Sequence, residues 1–269
     1  MKRLETSLQG FCALFRYRKL IWDLVVLDIK LRYAGSWLGL AWMLLAPLIL
    51  LGAYLLLFGK ILQVKTDPTL APLAYGLLMA CGLLPWVGFA EGVTRGTSSV
   101  LAQRNLLKSG VFPIELVPVS AVCTALLGQA GMTALLLAGL GLRGTLGPSL
   151  AFLPVLLVLQ ALFTIGVVWF LSCVNILYRD TSQVVALLLV LLMFVSPIAY
   201  TERMVPAGLE LVVAANPLSY LIEGYREALL FNHGPSVRGL AVFGGLACAA
   251  FVTGYRYFMR LRRVLPDYV

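Results

Sequence analysis

The residues able to carry chemistry are few. His233 is the only histidine, and it lies in the turn-forming run Asn232-His233-Gly234-Pro235 with no cysteine or carboxylate cluster at metal-ligand spacing. The sequence has no G-x-S-x-G nucleophile turn and no acid pair inside an apolar run, so neither a catalytic residue nor a metal site is assigned. A phosphate-cradling G-x-x-x-x-G-K-[ST] loop is also missing, since Gly59-Lys60 runs into Ile61 without the upstream glycine. Any active process would therefore draw its energy from a partner. Cys12, Cys81, Cys123, Cys173 and Cys248 are scattered singly through apolar stretches, which is the pattern of inert core thiols.

Three features remain. Glu91 and Arg95 stand four apart, acid first, at the inner end of an apolar run; this spacing suits an intrahelical ion pair that either neutralises itself near the interface or takes part in gating. Trp37, Trp42, Tyr54, Trp86 and Phe89 fall in the first two apolar runs, where aromatic faces either stack on sugar rings along a pathway or form an interface belt. The segment 95–113 ends in Pro113 with Glu115 close behind, residues suited to the first turn of a new helix. It offers either a short exposed helix for an external partner to push or a plain linker.

These residues are positioned by an apolar chain. Of 269 residues 61% are hydrophobic and 12% charged, with mean hydropathy +0.93, which excludes a soluble enzyme. In hydrocarbon each backbone polar group needs a partner within its own segment, so long Leu/Val/Ala runs become helices; a barrel would show short alternating segments instead. The fold class is all-α, a polytopic helical membrane protein. Six spans are predicted: Trp37 to Leu62, Leu73 to Val93, Ile114 to Leu140, Leu150 to Leu177, Val184 to Tyr200 and Val237 to Met259. The first run is no cleaved signal peptide, because some 35 residues precede it and no A-x-A site follows.

The net charge of +9 is explained by orientation in a membrane rather than by nucleic acid. Placing both termini in the cytoplasm leaves Lys60, Lys65, Arg143, Arg203, Arg226 and Arg238 outside and the larger share of basic residues inside. Ahead of the first span, Phe11, Leu14, Phe15, Ile21, Trp22, Val25 and Ile29 share one helical face opposite Arg16, Lys19, Asp23 and Lys30, which predicts a helix lying in the anionic leaflet. The outer segment from Thr201 to Ser236 holds two short stretches, Leu209 to Ala215 and Leu218 to Phe231, separated by Asn216-Pro217. They read as a re-entrant helical pair. A chain this small encloses a pore poorly alone, which predicts a symmetric dimer with the pathway between subunits.

Six ordered segments resemble the ABC-2 type permeases of bacterial polysaccharide exporters, in particular the O-antigen (lipopolysaccharide) branch. They are Leu31-Arg32-Tyr33-Ala34-Gly35-Ser36-Trp37-Leu38-Gly39 with Trp42 and Ala46-Pro47; Gly82-Leu83-Leu84-Pro85-Trp86; Asn105-Leu106-Leu107-Lys108 with Phe112-Pro113; Asn175-Ile176-Leu177-Tyr178-Arg179-Asp180; Ser196-Pro197-Ile198; and Asn216-Pro217-Leu218 with Glu223-Gly224-Tyr225-Arg226. The resemblance implies a homodimer in the inner membrane, paired with two copies of a separate ABC ATPase that binds the ATP and magnesium. This chain would hold no cofactor of its own. The cargo would be an undecaprenyl-diphosphate-linked polysaccharide, moved from cytoplasm to periplasm.

On that resemblance residues 1–35 form the interfacial helix, 36–259 the transmembrane domain and 260–269 a cytoplasmic tail. Gln103, Arg104, Asn105, Leu106, Leu107 and Lys108 would be the ATPase-coupling stretch, joined by Tyr178, Arg179 and Asp180 of the other inner loop. Ser196, Pro197, Asn216, Pro217, Glu223 and Arg226 would belong to a periplasmic gate within or beside 201–236. Capsular polysaccharide or teichoic acid export stands as an alternative cargo. A membrane-embedded glycolipid-modifying enzyme is the alternative from another class.

Overall fold

The computed structural model of the protein describes residues 16–61, 72–103, 112–201, 204–205, 208 and 210–262. Among them every regular element is helical and there is no strand, as intramembrane backbone bonding requires. The first helix, α1 (Arg18–Tyr33), buries Leu24 and Val25 and carries Lys30 and Arg32 in its last turn, where cations suit the helix dipole. Val25 is buried but Trp22 is 57% exposed, because α1 turns its Leu24/Val25 edge inward; Phe11, Leu14 and Phe15 lie outside the described residues.

The chain leaves α1 through Gly35 (φ 74°) and Gly39 (φ 51°), left-handed positions that a side chain resists. A 3-10 turn (Gly39–Ala41), α2 (Trp42–Tyr54) and π-type turns (Leu55–Ile61) then make one continuous helical segment. There follow α3 (Pro72–Ala102), α4 (Leu116–Gly141), a 3-10 turn (Pro148–Phe152), α5 (Leu153–Leu177), α6 (Thr181–Val195), α7 (Glu210–Ala215), α8 (Pro217–Leu229) and α9 (Val237–Leu261).

Five segments among the described residues are long and apolar enough to cross a membrane: Gly39–Ile61, Tyr75–Ala102, Leu116–Gly141, Pro148–Leu177 and Val237–Leu261. The fifth expected span, Val184 to Tyr200, falls short of this. Helix α6 has 15 residues, or about 22 Å against a hydrocarbon core of about 30 Å. It stops where Pro197 removes an N–H and drives Ser196 out of helical geometry (ψ 137°). Two short helices, α7 and α8, divided at Asn216, occupy the segment that follows.

Helix α3 forms the centre, with α4, α5 and α8 packed on it. Its glycines recur every fourth residue on the packed face: a Cβ on Gly88, Gly92 or Gly96 would meet Gln129 at 1.7 Å, Thr164 at 3.1 Å or Val168 at 2.2 Å respectively. Small residues at this spacing bring helix axes close where lipid offers no hydrophobic drive for association. Helix α9 approaches α5 in the same way. A Cβ on Gly254 would lie 2.1 Å from the Gly166 carbonyl oxygen, and one on Gly166 would lie 2.3 Å from the Ala250 carbonyl carbon. Backbone rests on backbone at that crossing, and α1 and α8 fill the flanks against α4 and α9.

Candidate functional site

The break after α6 produces a buried chain reversal, and its carbonyls need donors. Arg226 of α8 is fully buried and supplies two of them, Nη2 to Ile198 O at 2.9 Å and Nη1 to Tyr200 O at 3.1 Å. Tyr75 of α3 donates its hydroxyl to Ala199 O at 3.1 Å. Glu223, one turn before Arg226, lies 3.5 Å from Nη1 and is the cation's ion-pair partner. Burial pulls the guanidinium pKa below its usual value and Glu223 works against that; a guanidinium stays charged regardless.

The helix start of α8 grips the same reversal. Asn216 caps α8 by accepting the Leu218 N–H at 3.0 Å, with Pro217 in the first turn. Its Nδ2 donates to Ser196 Oγ at 2.9 Å, so one side chain ties the start of α8 to the end of α6. Gly82 makes room for this arrangement: a Cβ there would stand 3.1 Å from Ile198 O and 3.2 Å from Arg226 Nη2. Ser196, Pro197, Asn216, Pro217, Glu223 and Arg226, separate in sequence, thus converge at one end of the bundle.

Beneath this end lies a polar network that sequence reasoning did not single out. Gln129 of α4 and Gln160 of α5 bond reciprocally, Nε2 to Oε1 at 3.0 Å and 2.7 Å. Tyr225 OH accepts from Gln129 Nε2 at 2.9 Å and donates to Gln160 Oε1 at 3.0 Å, while Gln160 Nε2 also reaches Pro85 O at 3.0 Å. All three side chains are buried, and each amide is satisfied by another helix. The available signal was a glutamine within each of two apolar runs; attention to ionisable residues alone passed over it.

The opposite end is held by charge. The expected Glu91–Arg95 pair is replaced by two bridges to α1: Arg32 pairs with Glu91, and Arg95 Nη1 lies 2.9 Å from Asp28 Oδ2. The i,i+4 pairing loses because α1, packed along α4, presents the complementary charges to α3. Burial raises the Tyr33 hydroxyl pKa, opposed by Arg32 beside it. Next to these bridges an open groove of about 460 Å³ runs between α2, α3 and α6, lined in part by Arg32, Trp86, Glu91, Thr94 and Arg95. Glu115 ties the start of α4 to the end of α9, its Oε1 3.1 Å from Arg262 Nη1, while its backbone carbonyl accepts the Trp169 indole N–H at 2.9 Å.

The aromatic candidates do not form one surface within the protomer. Trp37 is 96% exposed and Trp42 40%, whereas Tyr54, Trp86 and Phe89 are buried in the core. Trp86 lies 6.2 Å from Phe89, which stacks at 5.8 Å on Phe163, a packing role. Of the coupling stretch, Gln103 closes the end of α3 with its N–H on Ser99 O; Arg104, Asn105, Leu106, Leu107 and Lys108 lie outside the described residues. Tyr178, Arg179 and Asp180 form the exposed turn between α5 and α6. His233 stacks on Phe231 in an exposed turn, and no metal-binding group of His, Cys, Asp and Glu occurs among the described residues.

Comparison with known proteins places the chain in a family. Residues 19–230 match the ABC-2 type transporter membrane family. The chain is 31% identical over 224 residues to the O-antigen export system permease protein RfbA of Myxococcus xanthus, covering 82% of this chain and 83% of that one. It is 30% identical over 221 residues to the permease of the same name from Klebsiella pneumoniae, covering 80% and 82%. The polysialic acid transport protein KpsM of Escherichia coli is 25% identical over 222 residues, covering 80% and 84%. With the family match extending from α1 to the end of α8, the chain belongs to the ABC-2 type transporters.

Proposed function

We propose that this chain is the permease subunit of an ATP-driven exporter that carries undecaprenyl-diphosphate-linked polysaccharide of the O-antigen type from cytoplasm to periplasm. The observation that carries this reading is the likeness, over four-fifths of the chain, to permeases named for O-antigen export. Two copies of this chain would form the pathway in the inner membrane, both termini cytoplasmic, with two copies of an ABC ATPase binding ATP and magnesium. The ATPase would seat on the 103–108 stretch and the turn at Tyr178, Arg179 and Asp180.

The geometry supports a division of labour between the two ends. A groove lined by Arg32 and Arg95, cations that a passing diphosphate would take over from Glu91 and Asp28, suits a charged lipid headgroup. The reversal tied by Arg226 and Asn216 suits a gate, since it is held by a few side-chain hydrogen bonds. Capsular polysaccharide is the second reading, favoured by the weaker likeness to the polysialic acid transport proteins.

Purification of the tagged chain from its native membrane tests the class. A stoichiometric P-loop ATPase should accompany it, and Leu106→Pro should abolish both its retention and ATP-dependent glycan export while the permease remains folded. A chain that exports glycan with no ATPase attached would refute the proposal.

A further inference from the structure

A second cavity, of about 430 Å³, opens at the Arg226 end between α8 and the start of α9. It is remote from the groove beside α1 and shares no lining residue with it. Its polar wall carries Glu223, Glu227, Ser236 and Arg238, and its floor is Leu156 and Phe243, each 1% exposed. Glu227 Oε2 accepts the Ser236 N–H at 3.0 Å, which fixes the carboxylate against the cavity rim and leaves Oε1 open to a second donor. Ser236 Oγ caps α9 through the Gly239 N–H, so Arg238 stands in the first turn of a 25-residue helix, at its positive end. Arg238 forms no ion pair among the described residues.

Charge and shape narrow the occupant. Two carboxylates face one lining guanidinium, and the buried Arg226 behind Glu223 brings the local sum to zero. A simple anion would meet Glu223 and Glu227, and a simple cation would meet Arg238. A zwitterion with an ammonium and a phosphate a few bonds apart satisfies both. Tyr220 is the sole aromatic residue on the polar wall, and its hydroxyl is already given to Ala214 O at 2.9 Å, so there is no aromatic cage for a quaternary ammonium. A primary ammonium has N–H donors for Glu227 Oε1, which a quaternary one lacks. The apolar floor continues to Leu240, a surface suited to acyl chain.

We infer that this cavity binds the headgroup of a phosphoethanolamine-bearing lipid, with Glu227 and Glu223 on the ammonium and Arg238 on the phosphate. The site does not depend on the nature of the exported cargo. The test is native mass spectrometry of the full-length detergent-purified chain with phosphatidylethanolamine, phosphatidylcholine and phosphatidylglycerol of matched acyl chains. Phosphatidylethanolamine should be retained roughly tenfold more strongly than either, the worth of one charge-assisted hydrogen bond. Glu227→Gln should lower phosphatidylethanolamine retention to the level of the other two lipids, whereas Arg238→Ala should weaken retention of all three, whose phosphate it would hold in common.

Soluble glycerophosphoethanolamine separates the headgroup from the tails: competition supports a site that reads the headgroup by itself, and absence of competition alongside a retained preference supports one that needs the acyl chain as well. Equal retention of the three lipids by the wild-type chain would overturn the inference whatever the variants do. Retention of the full preference in Glu227→Gln would overturn it too.

Discussion

Replacing Arg226 by methionine keeps most of the side-chain volume and removes the donors. The carbonyls of Ile198 and Tyr200 then lose partners at 2.9 Å and 3.1 Å in a site with no solvent access at residue 226. Hydrogen bonds from a charged group contribute about 1.5–3 kcal/mol each, and relief of the guanidinium's desolvation offsets part of the loss. A net local cost of about 3 kcal/mol follows. It should appear as opening of the reversal rather than as global unfolding, because Tyr75 and Asn216 still hold neighbouring points.

Hydrogen–deuterium exchange reads this opening directly. The Ser196 and Ile198 amides, bonded to Leu192 O and Ser196 O, should exchange on the order of 100-fold faster in Arg226→Met, while the amides of α5 and α9 should not change. Arg226→Lys should fall between, since one ammonium lacks the planar fork that spans both carbonyls. Unchanged exchange at 196–201 in the methionine variant would show that the guanidinium does not hold the reversal.

Other perturbations follow from the same contacts. Gly166→Leu drives a side chain into the α9 backbone and should cost at least about 3 kcal/mol, the upper end for overpacking, since no side-chain rotation relieves it; thermal unfolding in detergent measures this. Gln129→Leu and Gln160→Leu should each destabilise by about 1–2 kcal/mol, yet the double variant should cost less than their sum, a coupling of about 1 kcal/mol in a double-mutant cycle. Glu91→Arg should free α1 to proteolysis by placing three cations together, and adding Arg32→Glu should restore protection. Alanine at both Trp42 and Trp86 should slow glycan passage more than it lowers expression, and equal losses would mark both as packing residues.

Much of the fold could be read directly from the sequence, because backbone bonding in hydrocarbon leaves helices as the solution for long apolar runs. Ser196-Pro197 marks the limit of α6, and the apolar residues beyond the proline lengthen the hydrophobic run without lengthening its 15-residue helix. Local pairing also misled at Glu91 and Arg95. The i,i+4 rule describes an isolated helix, whereas Asp28 and Arg32 arrive from 67 and 59 residues away in sequence. Glu115 and Arg262 are separated by 147 residues, beyond any local pattern. The stripe Gly88, Gly92, Gly96 was present at regular spacing and went unread, although small residues at every fourth position are what close helix contact demands.

The two ends of the bundle differ in what would have to break for the chain to move. At the α1 end the ties are ion pairs between partly exposed side chains, which rearrange at small cost because water replaces each partner. At the α8 end the ties run from Arg226, Tyr75 and Asn216 to a reversal whose own residues are buried at Ser196, Ile198 and Ala199, so each bond broken there exposes a polar group that needs a new partner. Helix α6 joins these two regimes: Ala186, Leu189, Val190 and Met193 wall the open groove, and Ser196, which follows its last residue, accepts from Asn216. With most of its surface exposed and only light packing on α3 and α5, α6 is the element able to shift without disrupting the glycine-packed centre. On the proposed function, force applied beside the Tyr178–Asp180 turn at the start of α6 reaches the Arg226 end through this one helix. Its brevity serves that role, because a full span would continue past the reversal and bypass it.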